Sequence, residues 1–192
     1  MAPVPNIFRQ IPMRGTPLTR SFYQHHDVLH IARNLIGMSL LTSFRNTITA
    51  GIIVEAEAYT GIGENDKACH AYNGRRTKRT ETMFMEGGHA YVYLCYGMHH
   101  LFNIVTNQKN IPDAILIRAI QPTLGTTTML RRKKQKKLAP PLTSGPGSLT
   151  TALGIRVTHD RADLCNPIVK STIWLEDTRP SLPAFSLTTT PR

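Results

Sequence analysis

Cysteine is scarce in this sequence. Its three residues, Cys69, Cys95 and Cys165, are widely spaced and form no CxxC motif. An odd, dispersed set argues against a disulfide framework and against a zinc ribbon, and it fits a reducing cytosol. Apolar runs are also short: none approaches the roughly 18 residues of a membrane span, and the N-terminus lacks the apolar stretch of a signal peptide. We therefore expect an intracellular protein, cytoplasmic or nucleoid-associated in a bacterium, that is not secreted.

Acidic residues are few. The sequence has 12 Asp and Glu against 23 Lys and Arg, which gives a formal net charge of +11 and a pI near 10.0. A field of this sign attracts phosphate-rich partners and speeds their encounter, although solubility or an anionic membrane surface would explain the same excess. With 192 residues, 41% of them hydrophobic, the chain is long enough to bury one core without disulfides.

Periodicity and turn residues predict one domain of short helices and mainly antiparallel strands. Residues 1–20 contain four prolines and no clear period, which is typical of a flexible N-terminal arm. A helix is predicted to begin after Asp27 and to end at Gly37, and another to follow the Gly-Pro-Gly turn and end at Gly154. Strands are predicted at residues 39–42, 48–59, 91–95, 101–105, 114–120 and 168–174, with a loose tail from residue 180.

Three polar side chains share one face of the predicted strand IIVEAEAY, residues 52–59. Glu55, Glu57 and Tyr59 lie two apart, so they project to the same side, while Val54 and the two alanines face the core. A carboxylate in such a place can activate water, and two neighbouring carboxylates can differ in acidity so that one serves as a base. The same alternation is also typical of a half-exposed strand whose glutamates only face solvent.

Three tyrosines lie in the segment YVYLCYGMHH, residues 91–100. Tyr91 and Tyr93 share a face of a straight strand, whereas Tyr96 precedes Gly97 and is predicted to occupy the tip of a turn. Paired aromatic rings can form a stacking pocket for a planar ring, and an exposed tyrosine can wedge into a base stack. Ordinary aromatic packing in a sheet is the alternative, because tyrosine favours strands.

Basic residues cluster in GRRTKRT, residues 74–80, and in RRKKQKK, residues 131–137. The second run lies shortly before the Gly-Pro-Gly turn, where backbone amides and lysines could bind phosphates together, although a basic run is often only solvated surface. Cys95 and His99 lie four apart like a metal-ligand pair. Zinc needs three or four ligands, and no second pair stands at suitable spacing, so we expect no metal site.

Six segments occur in the order of one known family. They are ARNLIGMSLL (32–41), IIVEAEAYTG (52–61), DKACHAYNGRRTKRTETMF (66–84), GGHAYVYLCYGMHHLFNIVT (87–106), ILIRAIQP (115–122) and SGPGSLTTALGI (144–155). Together they closely resemble the alkyladenine (3-methyladenine) DNA glycosylase family, and the match covers most of residues 22–178. The resemblance implies an α+β fold, with residues 21–192 as a single glycosylase domain built on a curved, mainly antiparallel sheet flanked by short helices.

The resemblance also implies an activity: a monofunctional DNA glycosylase that flips alkylated or deaminated purines, such as 3-methyladenine, 7-methylguanine and hypoxanthine, from duplex DNA. It hydrolyses the N-glycosidic bond and so starts base excision repair. The expected catalytic residues are Glu57, which matches the base that activates water, and Arg118, which matches a residue near the water and the DNA backbone. Tyr59, His70, Tyr93 and Asn103 match the base pocket, and Tyr96 matches the intercalating residue. Phosphate contacts are expected at Arg75, Arg76, Arg79, Lys133, Lys134, Lys136, Gly147 and Ser148.

No cofactor and no metal are implied, and the expected partner is double-stranded DNA containing damaged purines, bound by a monomer without a membrane. Some positions depart from the family. Lys78 stands where proline is frequent, and Ser148 stands where lysine is common. Family members usually continue through one more strand with a tryptophan-containing segment, so this sequence is expected to lack the last C-terminal strand of the family.

A catalytically weak or inactive protein of the same fold that binds damaged or duplex DNA is therefore an alternative. A basic module associated with RNA is a more distant one. Glu57, Tyr93, Tyr96, Asn103 and Arg118 all match the family. This set favours the enzyme, because a protein that only binds DNA has no need of the Glu57 carboxylate.

Overall fold

The computed structural model describes residues 15–63, 66–166 and 171–179. Within these residues, seven strands are accompanied by four short α-helices: α1 (Arg20–Tyr23), α2 (Val28–Leu35), α3 (Thr126–Lys133) and α4 (Pro146–Leu153). The strands are β1 (Thr16–Pro17), β2 (Ser39–Phe44), β3 (Thr47–Tyr59), β4 (Ala90–Cys95), β5 (His99–Thr106), β6 (Asp113–Leu124) and β7 (Ser171–Asp177). They form one antiparallel sheet in the order β1-β7-β2-β3-β6-β5-β4, which curls into a half-barrel. The predicted α+β class is confirmed.

The five strands predicted between residues 39 and 120 all form, most of them one or two residues longer than alternation indicates. The late strand is found at Ser171–Asp177, and the part predicted at residues 168–170 lies outside the described residues. Residues 1–14 of the predicted arm and the predicted tail from residue 180 lie outside them as well. Thr16 and Pro17 pair with Asp177 and Glu176, so the end of the predicted arm adds the edge strand β1.

One face of the sheet packs against α2, α3 and α4 and forms the main hydrophobic core. Fully buried side chains from the sheet include Ile53, Phe102 and Ile117, and they meet Leu35 of α2 and Leu149 of α4. Burying a side chain of this size stabilises a fold by about 1.5–3 kcal/mol. The core therefore holds the strands in place, and the opposite face is available for polar side chains.

Helix α2 begins where the sequence predicts, because Asp27 caps it. The Asp27 carboxylate accepts hydrogen bonds from the backbone N–H groups of Leu29 (2.8 Å) and His30 (3.2 Å). Val28, Ile31 and Leu35 recur at helical spacing and are buried. Gly37 follows with a φ of +88°, a conformation that favours glycine, and turns the chain into β2.

Helix α3 is not predicted from the sequence, which indicates only a basic run over residues 131–137, either solvated or in contact with phosphates. The helix starts after Gly125, and its first three residues are threonines, which favour helices weakly. It nevertheless forms, because Met129 is fully buried and Arg132 Nη1 donates a hydrogen bond to the Ala152 carbonyl (2.9 Å) near the end of α4. Tertiary packing here overrides weak local propensity.

The middle of β3 departs from strict alternation. Ile53 and Ala56 both pack on the main core although they lie three apart, and the pairing with β6 is irregular between them. An irregularity of this kind, a β-bulge, turns the strand and re-aims its side chains. Val54 is consequently 49% exposed, so its predicted place in the core is wrong. Ala56 and Ala58 do pack on the core as predicted, which leaves Glu57 on the other face.

Candidate active site

A second apolar cluster lies on the sheet face opposite the main core. Neighbouring residues of β4 show the division, because Val92 packs on the main core whereas Tyr91 belongs to the second cluster. The loop between β3 and β4 (residues 60–89, hereafter the cover loop) supplies the other side of this cluster with Cys69, Met83 and Phe84. The tyrosines are therefore held between the sheet and the cover loop.

Hydrogen bonds fix the start of the cover loop. The Asp66 carboxylate accepts from the backbone N–H groups of Thr60 (3.0 Å) and Ala68 (3.2 Å). The buried Asp113 carboxylate accepts from the N–H of Gly61 (3.0 Å). Asp66 satisfies its backbone groups from within the loop, and Asp113 does so from the start of β6. The loop therefore leaves β3 in a defined direction and crosses the face that carries the tyrosines.

His70 is the cover-loop residue that meets the tyrosines. Its Nδ1 lies 3.0 Å from the Tyr91 hydroxyl, and its ring is 4.6 Å from that of Tyr93 with an edge-to-face angle of 69°. Partial burial, followed by the nearby charge of Arg79, lowers the pKa of His70. The imidazole is consequently neutral at pH 7 and presents an uncharged ring beside Tyr93.

Glu57 lies beside this aromatic group with both carboxylate oxygens engaged. The Tyr59 hydroxyl donates to Oε1 (2.8 Å), and Arg118 Nη1 donates to Oε2 (2.6 Å). Arg118 Nε also donates to Glu55 Oε1 (2.9 Å), so one guanidinium lies between two carboxylates. Hydrogen bonds to Glu55 and Glu57 raise the pKa of Arg118, which therefore remains a cation. The Glu57 side chain is still 40% exposed, and water can reach it.

Tyr59 connects the carboxylate to the aromatic group. Burial, followed by the hydrogen bond to Glu57, raises the pKa of Tyr59, so its hydroxyl remains a proton donor. The Tyr59 ring also packs against the second apolar cluster. The side chain that lines the aromatic cleft therefore also orients Glu57.

An open cleft lies between these side chains. At its wall, Asn103 is 3% exposed and donates from Nδ2 to the backbone carbonyl of Tyr91 (3.1 Å). This bond fixes the orientation of the amide. The residues that line the cleft are Tyr59, Ala68, Cys69, His70, Met83, Tyr91, Tyr93, Asn103 and Ala114. All four residues predicted for the base pocket are thus brought together, with Glu57 and Arg118 next to them.

Tyr96 lies at the tip of the β4–β5 hairpin, as predicted from the Tyr-Gly pair. The last cross-strand pair is Cys95 with His99, and the Met98 N–H donates to the Cys95 carbonyl (3.1 Å) to close the turn. Tyr96 has a φ of +50°, which is uncommon for a bulky residue, and its side chain is 89% exposed. The hairpin therefore presents an aromatic ring to solvent.

The arginines predicted to contact phosphate differ in their surroundings. Arg75 is exposed. Arg76 forms a two-point ion pair with Glu81 (2.6 and 2.9 Å) and lies over the Phe84 ring at 4.8 Å. Arg79 lies over the Tyr93 ring at 5.0 Å, next to the cleft. These three neighbours therefore differ: Arg75 is an exposed cation, Arg76 is ion-paired and Arg79 lies on the cleft wall.

The remaining predicted phosphate contacts form a surface between α3 and the start of α4. Lys133 Nζ donates to Ser148 Oγ (3.0 Å), and a Cβ on Gly147 would lie 3.1 Å from the His99 ring at the base of the hairpin. This surface therefore adjoins the hairpin that carries Tyr96. Lys134 and Lys136 are exposed beside it.

Several cleft residues are absent from the predicted pocket. Tyr91 could have been included, because it lies two residues from Tyr93 and shares its strand face. Cys69 and Met83 come from the cover loop, where no periodicity indicates which side chains point inward. Burial raises the pKa of Cys69 to about 11, so this thiol is protonated and acts as an apolar wall.

Within residues 15–63, 66–166 and 171–179, no group of three or more His, Cys, Asp or Glu side chains is arranged to hold a metal ion. None of the helices in these ranges has the length and hydropathy needed to span a bilayer.

Comparison with known proteins identifies the class of this enzyme. Residues 21–192 match the model of the methylpurine-DNA glycosylase (MPG) family. A protein of Chlamydia felis is 48% identical over 151 residues, which cover 78% of this chain and 77% of that protein. A protein of Chlamydia pneumoniae is 47% identical, with coverages of 78% and 76%. A protein of Clostridium acetobutylicum is 42% identical over 154 residues, 77% of this chain and 74% of that protein. All three carry the provisional name 3-methyladenine DNA glycosylase.

Fold, site and matches together define a DNA glycosylase, a hydrolase that acts on N-glycosyl bonds in DNA repair. More narrowly, the chain belongs to the methylpurine-DNA glycosylase family, which confirms the resemblance seen in its motifs.

Proposed function

We propose that this glycosylase flips alkylated or deaminated purines out of duplex DNA and hydrolyses their N-glycosidic bond with a water molecule that Glu57 activates. The observation that carries the proposal is the arrangement of Glu57 next to an aromatic cleft. The Tyr59 ring lines the cleft, and its hydroxyl donates to the Glu57 carboxylate. A planar base in the cleft therefore lies one side chain away from the carboxylate.

The chemistry of the bond explains why a carboxylate is needed. Cleavage of an N-glycosidic bond builds positive oxocarbenium character on the sugar, and a nearby carboxylate stabilises that charge. The same carboxylate can take a proton from the attacking water. Arg118 and Tyr59 hold the two oxygens of Glu57 and so fix its direction. They are positioning residues, because their hydrogen bonds reach Glu57 rather than the bond that breaks.

Aromatic walls supply the binding energy for the flipped base. Tyr59 lies on the sheet beside Glu57, while His70 and Tyr93 line the cleft as a contacting edge-to-face pair. Stacking of a base on an aromatic ring is worth about 1–3 kcal/mol. Because His70 is neutral at pH 7, it adds an aromatic ring to the cleft without adding a positive charge to that of the nearby Arg79. The cleft therefore suits purines such as 3-methyladenine, 7-methylguanine and hypoxanthine.

Asn103 is the residue that we expect to distinguish among purines. Its amide is fixed by a hydrogen bond to the Tyr91 carbonyl, and it lines the cleft. An immobilised amide can accept or donate only at a defined position on the edge of a base, and a mismatch leaves a buried polar group unpaired. Purines with different exocyclic groups should therefore differ in their rates of release.

Flipping a base leaves a gap in the duplex, and we expect Tyr96 to fill it. The flip costs a few kcal/mol, and an aromatic wedge offsets part of that cost. The exposed ring at the tip of the β4–β5 hairpin has the required shape. The surface of Lys133 and Ser148 adjoins this hairpin, and the net charge of +11 favours its contact with phosphates.

The proposal can be tested by single-turnover base release. Duplexes that contain 7-methylguanine or hypoxanthine are mixed with excess protein, and the wild-type chain is compared with Glu57→Gln. General base catalysis is typically worth about 10²- to 10⁴-fold. We therefore expect Glu57→Gln to slow release by at least about 100-fold while its affinity for the duplex and its melting temperature stay near those of the wild type.

A matched control is Glu55→Gln, which removes the neighbouring carboxylate that also bonds Arg118. It should slow release far less, because Glu55 is not joined to the cleft through Tyr59. Tight duplex binding without base release by the wild type would instead identify a DNA-binding protein of this fold.

A further inference from the structure

Arg79 rests on the walls of the cleft. Its guanidinium carbon lies 5.0 Å above the Tyr93 ring centroid, and its Nη2 lies 3.5 Å from His70 Nε2. Among the described residues, it forms no ion pair with a carboxylate. Arg76, three residues earlier, shows the contrast, because Glu81 neutralises its charge. The positive charge of Arg79 is therefore directed at the two aromatic rings.

The field of Arg79 reaches both rings. It lowers the pKa of His70, after the larger effect of burial. It also acts on Tyr93, where burial raises the pKa of the hydroxyl and Arg79 opposes that rise. The face of an aromatic ring attracts a cation through its quadrupole. A ring that already carries one cation attracts a second less strongly, because the two positive charges repel each other across a partly dry site.

The damaged purines fall into two electrostatic classes. In DNA, 7-methylguanine and 3-methyladenine carry a formal positive charge, whereas hypoxanthine is neutral. A base that stacks on Tyr93 lies within the field of Arg79 in both cases. The charge of the base therefore decides whether Arg79 opposes its binding.

We infer that Arg79 is a specificity-determining residue that disfavours cationic purines relative to neutral ones by keeping a positive charge on the ring against which the flipped base stacks. The inference rests on the proposed function of the cleft. It differs from the role predicted from the sequence, where Arg79 contacts a phosphate. A phosphate contact strengthens binding to every duplex alike, since the backbone carries no information about the damaged base.

The test is the ratio of two rates. Single-turnover release of 7-methylguanine and of hypoxanthine is measured from duplexes of otherwise identical sequence, for the wild type and for Arg79→Gln. We expect the ratio of 7-methylguanine release to hypoxanthine release to rise roughly tenfold in the variant, which corresponds to about 1.4 kcal/mol. Arg79 is exposed, so Arg79→Gln should fold normally.

Two controls separate charge from contact. Arg79→Lys keeps the charge, so it should preserve most of the wild-type ratio. Arg75→Gln removes another exposed cation from the same loop, and it should leave the ratio unchanged even if it slows both reactions. Equal changes in both rates with Arg79→Gln, or the same shift of the ratio with Arg75→Gln, would overturn the inference alone. A wild-type chain that releases neither base would overturn the proposed function and the inference with it.

Discussion

The two faces of the central strands have opposite characters at neighbouring residues. In β6, Ile117 is fully buried in the main core, whereas the side chain of the next residue, Arg118, is 39% exposed and holds two carboxylates. In β4, Val92 packs on the same core, whereas Tyr93 lines the cleft. The helix-packed face therefore carries the stability of the fold, and the face under the cover loop carries the polar and aromatic groups of the site.

The difference follows from what covers each face. Helices present aliphatic side chains that fill the space above the sheet closely, so a lost methylene there leaves a cavity. The cover loop leaves an open cleft, and its polar groups are satisfied by one another: His70 with Tyr91, and Glu57 with Tyr59 and Arg118. Substitutions on the two faces should consequently affect different measurements.

The largest effect in this comparison should come from Ile117→Ala. Truncation of a fully buried isoleucine typically costs about 2–5 kcal/mol of the free energy of unfolding. We expect a loss of this size by urea denaturation. Base release per folded molecule, measured at low temperature, should stay near that of the wild type, because the side chain lies on the face away from the cleft.

Ile117→Val is the graded control, with an expected cost of about 0.5–1.5 kcal/mol. If Ile117→Ala slowed base release as strongly as it reduced stability, the two faces would not be functionally separate.

The next-largest effect is expected for Arg118→Gln, which changes the residue after Ile117 in β6. We expect base release to slow by roughly 10- to 100-fold, or about 1.4–2.8 kcal/mol, because Glu57 loses the group that orients it. The free energy of unfolding should change by less than about 1 kcal/mol, since the ion pairs of Arg118 are partly exposed. This pattern is the reverse of that expected for Ile117→Ala.

Arg118→Lys is the matched control. It keeps a positive charge beside Glu57 but lacks the planar fork that holds both carboxylates. Its rate of base release should therefore lie between that of the wild type and that of Arg118→Gln. Base release by Arg118→Gln at the wild-type rate would argue against a positioning role.

Much of this division between the faces could be predicted from the sequence, because alternation assigns faces within a strand. Period 2 correctly places Glu57 and Tyr59 on one side of β3, and Asp27 correctly marks the start of α2. The prediction for Val54 was wrong, because its side chain is exposed. Sequence periodicity has no signal for a β-bulge, which depends on how β3 pairs with β6, so the prediction placed Val54 in the core.

The positions of the cover-loop side chains are the part of the site that could not be predicted from the sequence. The family resemblance indicated His70, but nothing local predicted that Cys69 and Met83 would line the cleft. The position of Arg79 over the Tyr93 ring could not be predicted either, because a basic run in a loop is usually solvated. Loop side chains acquire their places through contacts distant in sequence, such as that between Asp113 and Gly61. Contacts of this kind produce no periodic pattern in the amino-acid sequence.

The smallest effect should come from Tyr96, which lies at the hairpin tip beyond both faces. We expect Tyr96→Ala to slow base release from a fully paired duplex by about fivefold, or about 1 kcal/mol, because the gap left by the flipped base is no longer filled. The free energy of unfolding should not change, since the ring is 89% exposed.

The decisive comparison is a duplex with the damaged base opposite a mismatch, because that base costs less to flip. There the penalty of Tyr96→Ala should shrink, and Tyr96→Phe should behave like the wild type in both duplexes. A penalty of equal size in the two duplexes would mean that Tyr96 contributes to general DNA affinity instead of to flipping, and the hairpin would then belong with the basic surface beside it.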